Sequence, residues 1–356
     1  MMTPEDRHAQ WRALHEAGPI AKFLGLLFVT QRAELVRCVT RLRIDYGSHF
    51  LAVLSRLVPV FQLGAPEHHR RVRQKLRPSF SREAVARLEP PLRQHARQLI
   101  GALAAEGRCD GVEIAMLFSA RAVLTWCGWP QADLRELCDL LRSTVQGGSR
   151  DSQVRAASAW VKYVDKRLLR SGCRAELVRL GHQELAGVHV LMLFAGMTTP
   201  AATLAYALLE LARNPELRQL LQREPAQTPA FIEEVLRVSA PAVTLPRVTT
   251  EPTVIGGQEL PVGVAVALHV GAANMEYGDH ITLTDGRITR QPHWAFGAGA
   301  HRCIAAPLAR LQMTVFVEEW LRQIPEFSIE PGVTPYIDAE QRALAALPLR
   351  WAVQSH

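Results

Sequence analysis

The sequence predicts a mainly α-helical protein with a minor β region. The chain has 356 residues, of which 48% are hydrophobic and only 6% aromatic, and this composition supports a large core built from helices rich in Leu and Ala. Apolar residues recur at helical spacing over most of the first 240 positions. A shorter stretch beyond them is rich in Val and Thr and is punctuated by Gly and Pro turns, which is typical of a small sheet.

Helical spacing, together with start and stop signals, places the individual elements. The most prominent is a mostly apolar helix from about residue 183 to residue 211, closed by Asn214-Pro215, which we expect to cross the middle of the molecule. Residues 27–31 indicate a strand, and residues 247–270 indicate a β meander. The remaining helices are expected at residues 8–17, 33–42, 112–126, 131–145, 151–170, 231–238 and 307–321, with a broken helical stretch over 66–107 and a hinge at Gly147-Gly148.

Charge and cysteine usage limit the class of protein. The formal net charge of +7 comes from dispersed arginines, and no basic run is interleaved with aromatic residues, so we do not expect nucleic-acid binding. A basic face would suit an acidic redox protein. The six cysteines form no CxxC pair, which argues against zinc. A chain of 356 residues needs no disulfide staples, so we expect a reduced, cytoplasmic setting. The polar start and the short apolar stretch 20–29 predict a soluble protein without membrane insertion.

One cysteine stands in a setting suited to iron chemistry. Residues 293–310 read HWAFGAGAHRCIAAPLAR, so Cys303 follows a loop with two glycines and precedes an apolar helix. Loop N–H groups and the positive end of a helix dipole both stabilise a thiolate there. A lone buried structural cysteine is the alternative. Eight residues of this stretch fit a known motif in order: Phe296, Gly297, Gly299, His301, Cys303, Leu308, Ala309 and Arg310.

These residues resemble the FGxGxHxCxGxxLAR signature of the cytochrome P450 family, with Ala305 in place of a glycine. The resemblance implies the cytochrome P450 fold as a single large domain over residues 1–356, haem b as cofactor and Cys303 as the axial iron ligand, whose electron density favours O–O cleavage. It divides the domain into a helical body (about 64–240), a β-rich meander with the haem loop (about 241–310) and a C-terminal helix and tail (307–356). Phe296, Gly297 and Ala305 are expected to border the haem.

A helical Glu/Arg pair supports the resemblance. Glu234 and Arg237 lie three residues apart, so they share a helix face and can pair. They are similar to the family's ExxR motif. The family adds a third residue, for which Arg287 is the best candidate and Arg290 the fallback.

Haem propionates need cationic partners, because charge-assisted hydrogen bonds hold carboxylates most strongly. The segment PEHHRRVRQKLRPSF resembles the family's helix C, which assigns His69 and Arg73 to the propionates, with His68 as the fallback. A solvated basic face is the alternative for so arginine-rich a segment. Arg247 and His301 are the other expected partners.

The long central helix carries LMLFAGMTTP, which resembles the family's AGx(D/E)T motif. Small residues would leave room for dioxygen, and the hydroxyl of Thr199 would relay protons. Thr198 replaces the usual acid, and Pro200 removes a backbone donor and should kink or widen the helix. We expect the substrate pocket to be lined by Met192, Ala195, Gly196, Thr199, Ala242, Val243, Thr244 and Leu245.

The leading hypothesis is a monooxygenase that oxidises a small or medium apolar substrate, free or bound to a carrier protein, with O2 and electrons from an external ferredoxin and ferredoxin reductase. A peroxide-dependent or non-oxygenative haem enzyme is the second hypothesis, because Thr198 weakens the usual proton relay. A catalytically retired haem or ligand-binding protein is the third, since the connection before the central helix looks short. A structural protein without haem is the fourth.

Overall fold

The longest element is a helix of 32 residues, His182–Arg213. The computed structural model describes residues 2–23, 26–44, 50–145, 149–173, 177, 180–338 and 343–353. The described chain divides into two compact units: the first draws on residues 1–46, 226–303 and 334–345, and the second on residues 47–225, 304–333 and 346–356. The predicted hinge at Gly147-Gly148 lies outside the described residues.

The second unit is built almost entirely from helices. The 32-residue helix is α10 in chain order, and it packs along α7 (Gly111–Cys127). Large side chains such as Trp126, Trp160 and Trp320 are fully buried in this unit. A short antiparallel sheet of β4 (Arg108–Asp110), β11 (Ser328–Ile329) and β14 (Pro348–Arg350) lies at its edge. The other helices are α3 (Phe50–Leu54), α4 (Pro66–Leu76), α5 (Arg82–Ala86), α6 (Glu89–Ala104), α8 (Leu134–Val145), α9 (Arg150–Ser171), α11 (Pro215–Arg223) and α14 (Ala306–Gln323).

Helix α10 is largely buried within the second unit because of its composition. Apolar residues cover most of its faces, and all of residues 186–193 and 203–209 are buried. By length and composition this helix could cross a membrane, but 61% of its most apolar window is buried inside the protein. No other described helix passes that test. Burial of this kind is expected of the core helix of a folded domain.

The first unit holds the larger sheet. The strands are β1 (Ile20–Phe23), β2 (Leu26–Val29), β3 (Arg43–Ile44), β5 (Thr244–Val248) and β8 (Ala265–His269). Their order in the sheet is β1-β2-β8-β5-β3, with β2 parallel to β8 and the other neighbours antiparallel. A buried cluster on this sheet includes Leu27, Val29, Val266 and Leu268.

Helices and hairpins complete the first unit. The hairpins β6–β7 (Thr253–Ile255, Gln258–Leu260), β9–β10 (Leu283–Thr284, Arg287–Ile288) and β12–β13 (Ile337–Asp338, Ala343–Leu344) are antiparallel. The helices are α1 (Pro4–Glu16), α2 (Arg32–Arg41), α12 (Thr228–Val238) and α13 (Val270–Asn274).

The predicted fold class is confirmed: helices dominate and the sheets are small. Most predicted helices begin and end within a few residues of the observed bounds, including the long one. The predicted meander over 247–270 corresponds to the strands β5 to β8, which pair antiparallel as β5–β8 and β6–β7.

Candidate functional site

The loop that precedes α14 folds back on itself. In this cysteine loop, residues 293–303, Gly297 and Gly299 adopt positive φ angles of 62° and 66°, a conformation that favours glycine. The Gly297 N–H donates to the Trp294 carbonyl at 2.7 Å, and the Cys303 N–H donates to the Phe296 carbonyl at 2.9 Å. These two hydrogen bonds close the loop and leave Cys303 exposed at its end.

Cys303 differs from the other cysteines in its accessibility. It is exposed, whereas the remaining five are buried or partly buried. Burial raises the pKa of Cys109 to about 12 and that of Cys138 to about 11, so both thiols stay protonated near neutral pH. Cys303 is therefore the cysteine best placed to bind a group from outside the protein.

The donors around Cys303 fit a porphyrin iron better than a protein-caged metal. Among the described residues, no group of three or more His, Cys, Asp and Glu side chains could hold a metal ion. A porphyrin brings its own equatorial nitrogens and needs only an axial ligand from the protein. One accessible thiol at the end of a glycine loop meets that requirement.

The Glu234–Arg237 pair lies at the base of this loop. Both side chains are fully buried, and the Arg237 Nε donates to Glu234 Oε2 at 2.9 Å. Arg237 also donates to the carbonyls of Gly278 and His280. The second carboxylate oxygen, Glu234 Oε1, accepts the N–H of Gln291 at 2.8 Å. Helix α12 thus fixes the backbone two residues before the cysteine loop begins.

The structure does not bring Arg287, the expected third member, to this pair. Arg287 is exposed on the β9–β10 hairpin, where it pairs with Thr284. The partners that the structure gives Glu234 are Arg237 and, through Oε1, the N–H of Gln291. The fallback, Arg290, lies 3.7 Å from Glu233 instead, and its side chain is largely exposed.

Two further polar side chains anchor the loop, and the sequence interpretation missed both. His293 Nδ1 accepts the Ala295 N–H, so its Nε2 carries the proton and donates to Glu233 at 3.2 Å. Asn274 Oδ1 accepts the Trp294 N–H at 2.9 Å. The Asn274 amide then donates to the carbonyl of Arg237. His293 could have been found from the sequence, because it is a polar residue directly beside the glycine motif. Nothing in the sequence marks Asn274 in this way.

The remaining cofactor candidates of the first unit lie on its sheet and in the loop. Arg247 is buried on β5 and donates through Nη1 to the Pro246 carbonyl at 2.8 Å. His301 is half-buried in the short 3₁₀ turn Gly299–His301. At the start of β5, Val243 is buried, and the other predicted pocket residues Ala242, Thr244 and Leu245 are half-buried.

The two adjacent histidines on helix α4 of the second unit lie in different surroundings. His69 is buried and stacks on Phe61 with ring centroids 5.8 Å apart. Burial lowers the pKa of His69, and the nearby Arg73 lowers it further. The fallback His68 instead faces Glu184, 3.4 Å from its carboxylate. His69 and Arg73 lie one turn apart, with Arg73 half-buried, so this geometry favours His69 over His68 as the inward-facing residue.

The middle of α10 is accessible although its flanks are buried. Ala195, Gly196, Thr198 and Thr199 are half-buried. The Thr198 hydroxyl donates to the Phe194 carbonyl at 3.0 Å, and the Thr199 hydroxyl donates to the Ala195 carbonyl at 3.1 Å. The helix continues through Pro200 to Arg213. Met192, one turn earlier, is buried.

Gly196 has a packing role in addition to the one inferred from the sequence. A Cβ at this position would lie 2.5 Å from Cγ2 of Val123 on α7. Gly187, nine residues earlier, is tighter still, because its Cβ would lie 2.0 Å from the Pro59 carbonyl oxygen. Both glycines allow close approach of α10 to its neighbours within the second unit.

Ala305 stands immediately before α14 and belongs to the second unit. It is half-buried, and its carbonyl accepts the Ala309 N–H at 2.9 Å in the first helical turn. The methyl group that replaces the signature glycine is therefore compatible with the start of this helix.

Comparison with known proteins agrees with the predicted fold. A family model described as Cytochrome P450 matches residues 150–277. The chain is 29% identical to a probable cytochrome P450 127A1 of Sinorhizobium fredii, over 93% of this chain and 86% of the relative. It is 28% identical to the cyclomarin C epoxidase CymV of Salinispora arenicola, over 77% and 75%. It is 29% identical to the beta-dihydromenaquinone-9 omega-hydroxylase of Mycobacterium tuberculosis, over 82% of this chain and 64% of the relative.

Solved structures share the fold over nearly the whole chain. P450BioI, in complex with a hexadec-9Z-enoic acid ligated acyl carrier protein, matches with a TM-score of 0.85, 20% identity and coverage of 98% and 99% of the two chains. CalO2 matches with a TM-score of 0.85, 23% identity and coverage of 98% and 96%. The family model, these relatives and these solved structures are all cytochrome P450s, which is consistent with a member of that superfamily and supports an oxidoreductase of the P450 monooxygenase type, a family whose cofactor is haem.

Proposed function

We propose that the protein binds haem b through Cys303 and oxidises a small or medium apolar organic molecule of secondary metabolism with O2. The exposed thiol at the end of the cysteine loop is the observation that carries this proposal. A thiolate there would supply the axial ligand, and the bound haem would supply the oxidising chemistry. The sequence has no CxxCH motif, through which c-type haem is attached covalently, so we propose the non-covalent b type.

Basic side chains would bind the haem propionates. We propose Arg247, His301, His69 and Arg73 for this role, as the resemblance to the family implies. Guanidinium groups bind carboxylates through charge-assisted hydrogen bonds and imidazole N–H groups can donate to them, which supports these residue types as propionate partners.

The loop anchors would act by positioning Cys303. Glu234 holds the Gln291 N–H and Asn274 holds the Trp294 N–H, so the loop starts from a fixed backbone. His293 adds a third attachment through Glu233. Loop N–H groups that point toward the sulfur would favour its ionised form. Thr198 and Thr199, on α10, would hold or pass protons during the reaction.

The substrate is proposed from the character of the candidate pocket residues. Met192, Ala195, Val243 and Leu245 are apolar, so the ligand should be apolar or of mixed polarity. The relatives named above include a cyclomarin C epoxidase and a beta-dihydromenaquinone-9 omega-hydroxylase. The acyl-carrier complex of P450BioI makes a carrier-bound substrate a specific form to test.

Electrons would come from a separate ferredoxin and ferredoxin reductase in the cytoplasm. The net charge of +7 favours an acidic partner, because opposite charges steer association. Turnover reconstituted with NAD(P)H, ferredoxin and reductase should give an oxidised product by mass spectrometry for some apolar candidates, free or carrier-bound. Binding without any product under these conditions would contradict the monooxygenase proposal and favour a retired ligand-binding protein.

A peroxide-dependent enzyme is the second candidate. Thr198 stands where the family has an acid, and its hydroxyl hydrogen is used within the helix. Hydrogen peroxide already carries the electrons and protons that the redox partners and a proton relay would otherwise supply. Product formation with hydrogen peroxide alone, at a rate equal to or above that with redox partners, would favour this candidate over the first.

A further inference from the structure

The outer face of helix α9 carries a row of basic side chains. Arg155, Lys162, Lys166 and Arg170 are all exposed. Their spacing of seven, four and four residues places them on one stripe of the helix. At about 1.5 Å per residue, this stripe is about 22 Å long. We call these four residues the basic stripe.

Little of the positive charge on the basic stripe is neutralised within the described part of the chain. Lys166 approaches a carboxylate, that of Glu136, at 4.0 Å. The other three members form no ion pair with a described residue. Asp165, on the same helix, contacts His182 at 3.0 Å instead. Because like charges one helical turn apart repel, carboxylates from a partner would stabilise this face.

The opposite face of α9 lies against the turn of α10 that carries candidate pocket residues. Trp160 is buried there, and its ring meets that of Phe194 edge-on, with the centroids 6.4 Å apart. Phe194 directly precedes Ala195 and Gly196. The Trp160 Nε1 donates to Thr144 Oγ1 of α8 at 2.8 Å, which holds the ring in place. One helix thickness, about 10 Å, therefore separates the basic stripe from this turn of α10.

The side chains beside the basic stripe indicate what kind of acidic partner fits it. A helix that lies on a membrane needs a broad apolar face, whereas the large apolar side chain that borders this stripe is Leu169 alone, 81% exposed. The aromatic residues of α9, Trp160 and Tyr163, are both buried, so neither can stack on a nucleic-acid base. A folded acidic protein can meet the stripe with carboxylates and Leu169 with an apolar side chain.

We propose that the basic stripe is the docking surface for an acidic acyl carrier protein, which presents the apolar substrate as a thioester. This inference rests on the proposed function and deepens it, because it names the partner that delivers the substrate. Carboxylates of the carrier would pair with Arg155, Lys162 and Arg170. The flexible phosphopantetheine arm would span the thickness of α9, so that the acyl chain reaches α10 while the carrier stays outside.

The test compares two double variants that change the net charge equally. Arg155→Glu with Lys162→Glu reverses half of the basic stripe. Arg87→Glu with Arg223→Glu, the matched control, reverses two exposed arginines elsewhere in the second unit. Each pair exchanges two positive charges for two negative ones, which lowers the formal net charge from +7 to +3. The probe is a fluorescently labelled acyl carrier protein loaded with hexadec-9Z-enoic acid, and anisotropy measures its Kd for the haem-loaded proteins.

The stripe variant should bind the loaded carrier on the order of tenfold more weakly than the parent protein, because lost ion pairs are replaced by repulsion. The control variant should bind as the parent does. Equal Kd values for the two double variants would overturn the proposal, as would a parent protein that does not bind the carrier. Added salt should also weaken binding by the parent. A Kd that salt leaves unchanged would overturn the proposal even if the stripe variant did not fold.

A second measurement separates docking from damage to the pocket. Free hexadec-9Z-enoic acid has no carrier to dock, so its Kd should be the same for the parent protein and the stripe variant. The absorption change of the haem-loaded proteins on titration with the free acid measures this Kd. An equal loss of affinity for the free acid and the loaded carrier would place the effect inside the protein and overturn the proposal.

Two other acidic occupants are outcomes of the same design. Sedimentation with phosphatidylglycerol vesicles tests a lipid surface, and the rate of reduction by an acidic ferredoxin tests a redox partner. A loss in the stripe variant that is confined to either of these, with carrier binding unchanged, would overturn the proposal. A parent protein that binds the carrier but forms no oxidised product would instead count against the proposed function. Turnover of free substrates without carrier binding would count against the docking surface alone.

Discussion

Replacing Glu234 by Gln should destabilise the protein far more than its conservative chemistry implies. Glu234 and Arg237 are both fully buried, and their side chains meet at 2.8 to 2.9 Å. The variant would leave a buried guanidinium without its counter-ion. Breaking a buried pair on one side costs about 3–5 kcal/mol. The carbonyls of Gly278 and His280 still accept from Arg237, so we expect the lower value, about 3 kcal/mol.

The chain offers a control with the same spacing and order of charges. Asp139 and Arg142 are also three residues apart, and Arg142 Nη1 lies 3.0 Å from Asp139 Oδ1. Their side chains, however, are 63% and 42% exposed. Asp139→Asn should therefore cost about 0.5 kcal/mol or less. Urea unfolding of both variants, followed by circular dichroism, measures the two costs. Equal losses, or a loss below about 1 kcal/mol for Glu234→Gln, would refute the role given to the buried pair.

Two further predictions concern stability at other positions. Burial lowers the pKa of His8 from 6.5 to about 4, so the neutral form stabilises the fold fully above pH 6.5 and this stability is lost as the pH falls through 4. The free energy of unfolding should fall by about 3 kcal/mol over this pH range. Urea unfolding midpoints measured against pH should show this loss in the parent protein but not in His8→Gln. A parallel pH dependence in the two proteins would contradict the prediction. Gly187→Ala should lower the free energy of unfolding by about 2 kcal/mol or more, because its Cβ would meet the Pro59 carbonyl oxygen at 2.0 Å. Gly181→Ala is the control and should cost little, because a Cβ there would meet nothing within 4 Å. Similar thermal melting points for the two variants would contradict the prediction and show that α10 can move aside.

The local features of the site could be predicted from the sequence. Glycine spacing predicts the tight turn before Cys303, and the structure shows positive φ at both Gly297 and Gly299. The i,i+3 spacing of Glu234 and Arg237 predicts their pairing, which the structure confirms. Each of these follows from the geometry of a short stretch of chain.

Contacts between distant stretches could not be predicted in the same way. Arg287 has the right charge for Glu234, but it is exposed in the structure, and a backbone N–H, that of Gln291, donates to Glu234 Oε1. A backbone donor carries no residue signature, so nothing in the sequence marks it. Asn274 is a similar case, since its amide links Trp294 and Arg237 across long separations in the chain.

The roles of individual small residues also needed the structure. From the sequence, Gly196 has one reason to be small, which is space beside the α10 threonines, and the structure adds contact with Val123. The structure likewise places His69 inside and His68 against Glu184, a choice that two adjacent histidines in a basic helix left open.

The central claim is that Cys303 is the thiolate ligand of a haem iron. The most direct test is the absorption spectrum of the reduced, CO-bound protein, because a thiolate ligand shifts the Soret band far to the red of that seen with other ligands. We expect the parent protein and a Cys173→Ser control to show the shifted band, and Cys303→Ser to lose it. A shifted band that persists in Cys303→Ser, or a parent protein that takes up haem without the shift, would contradict the claim.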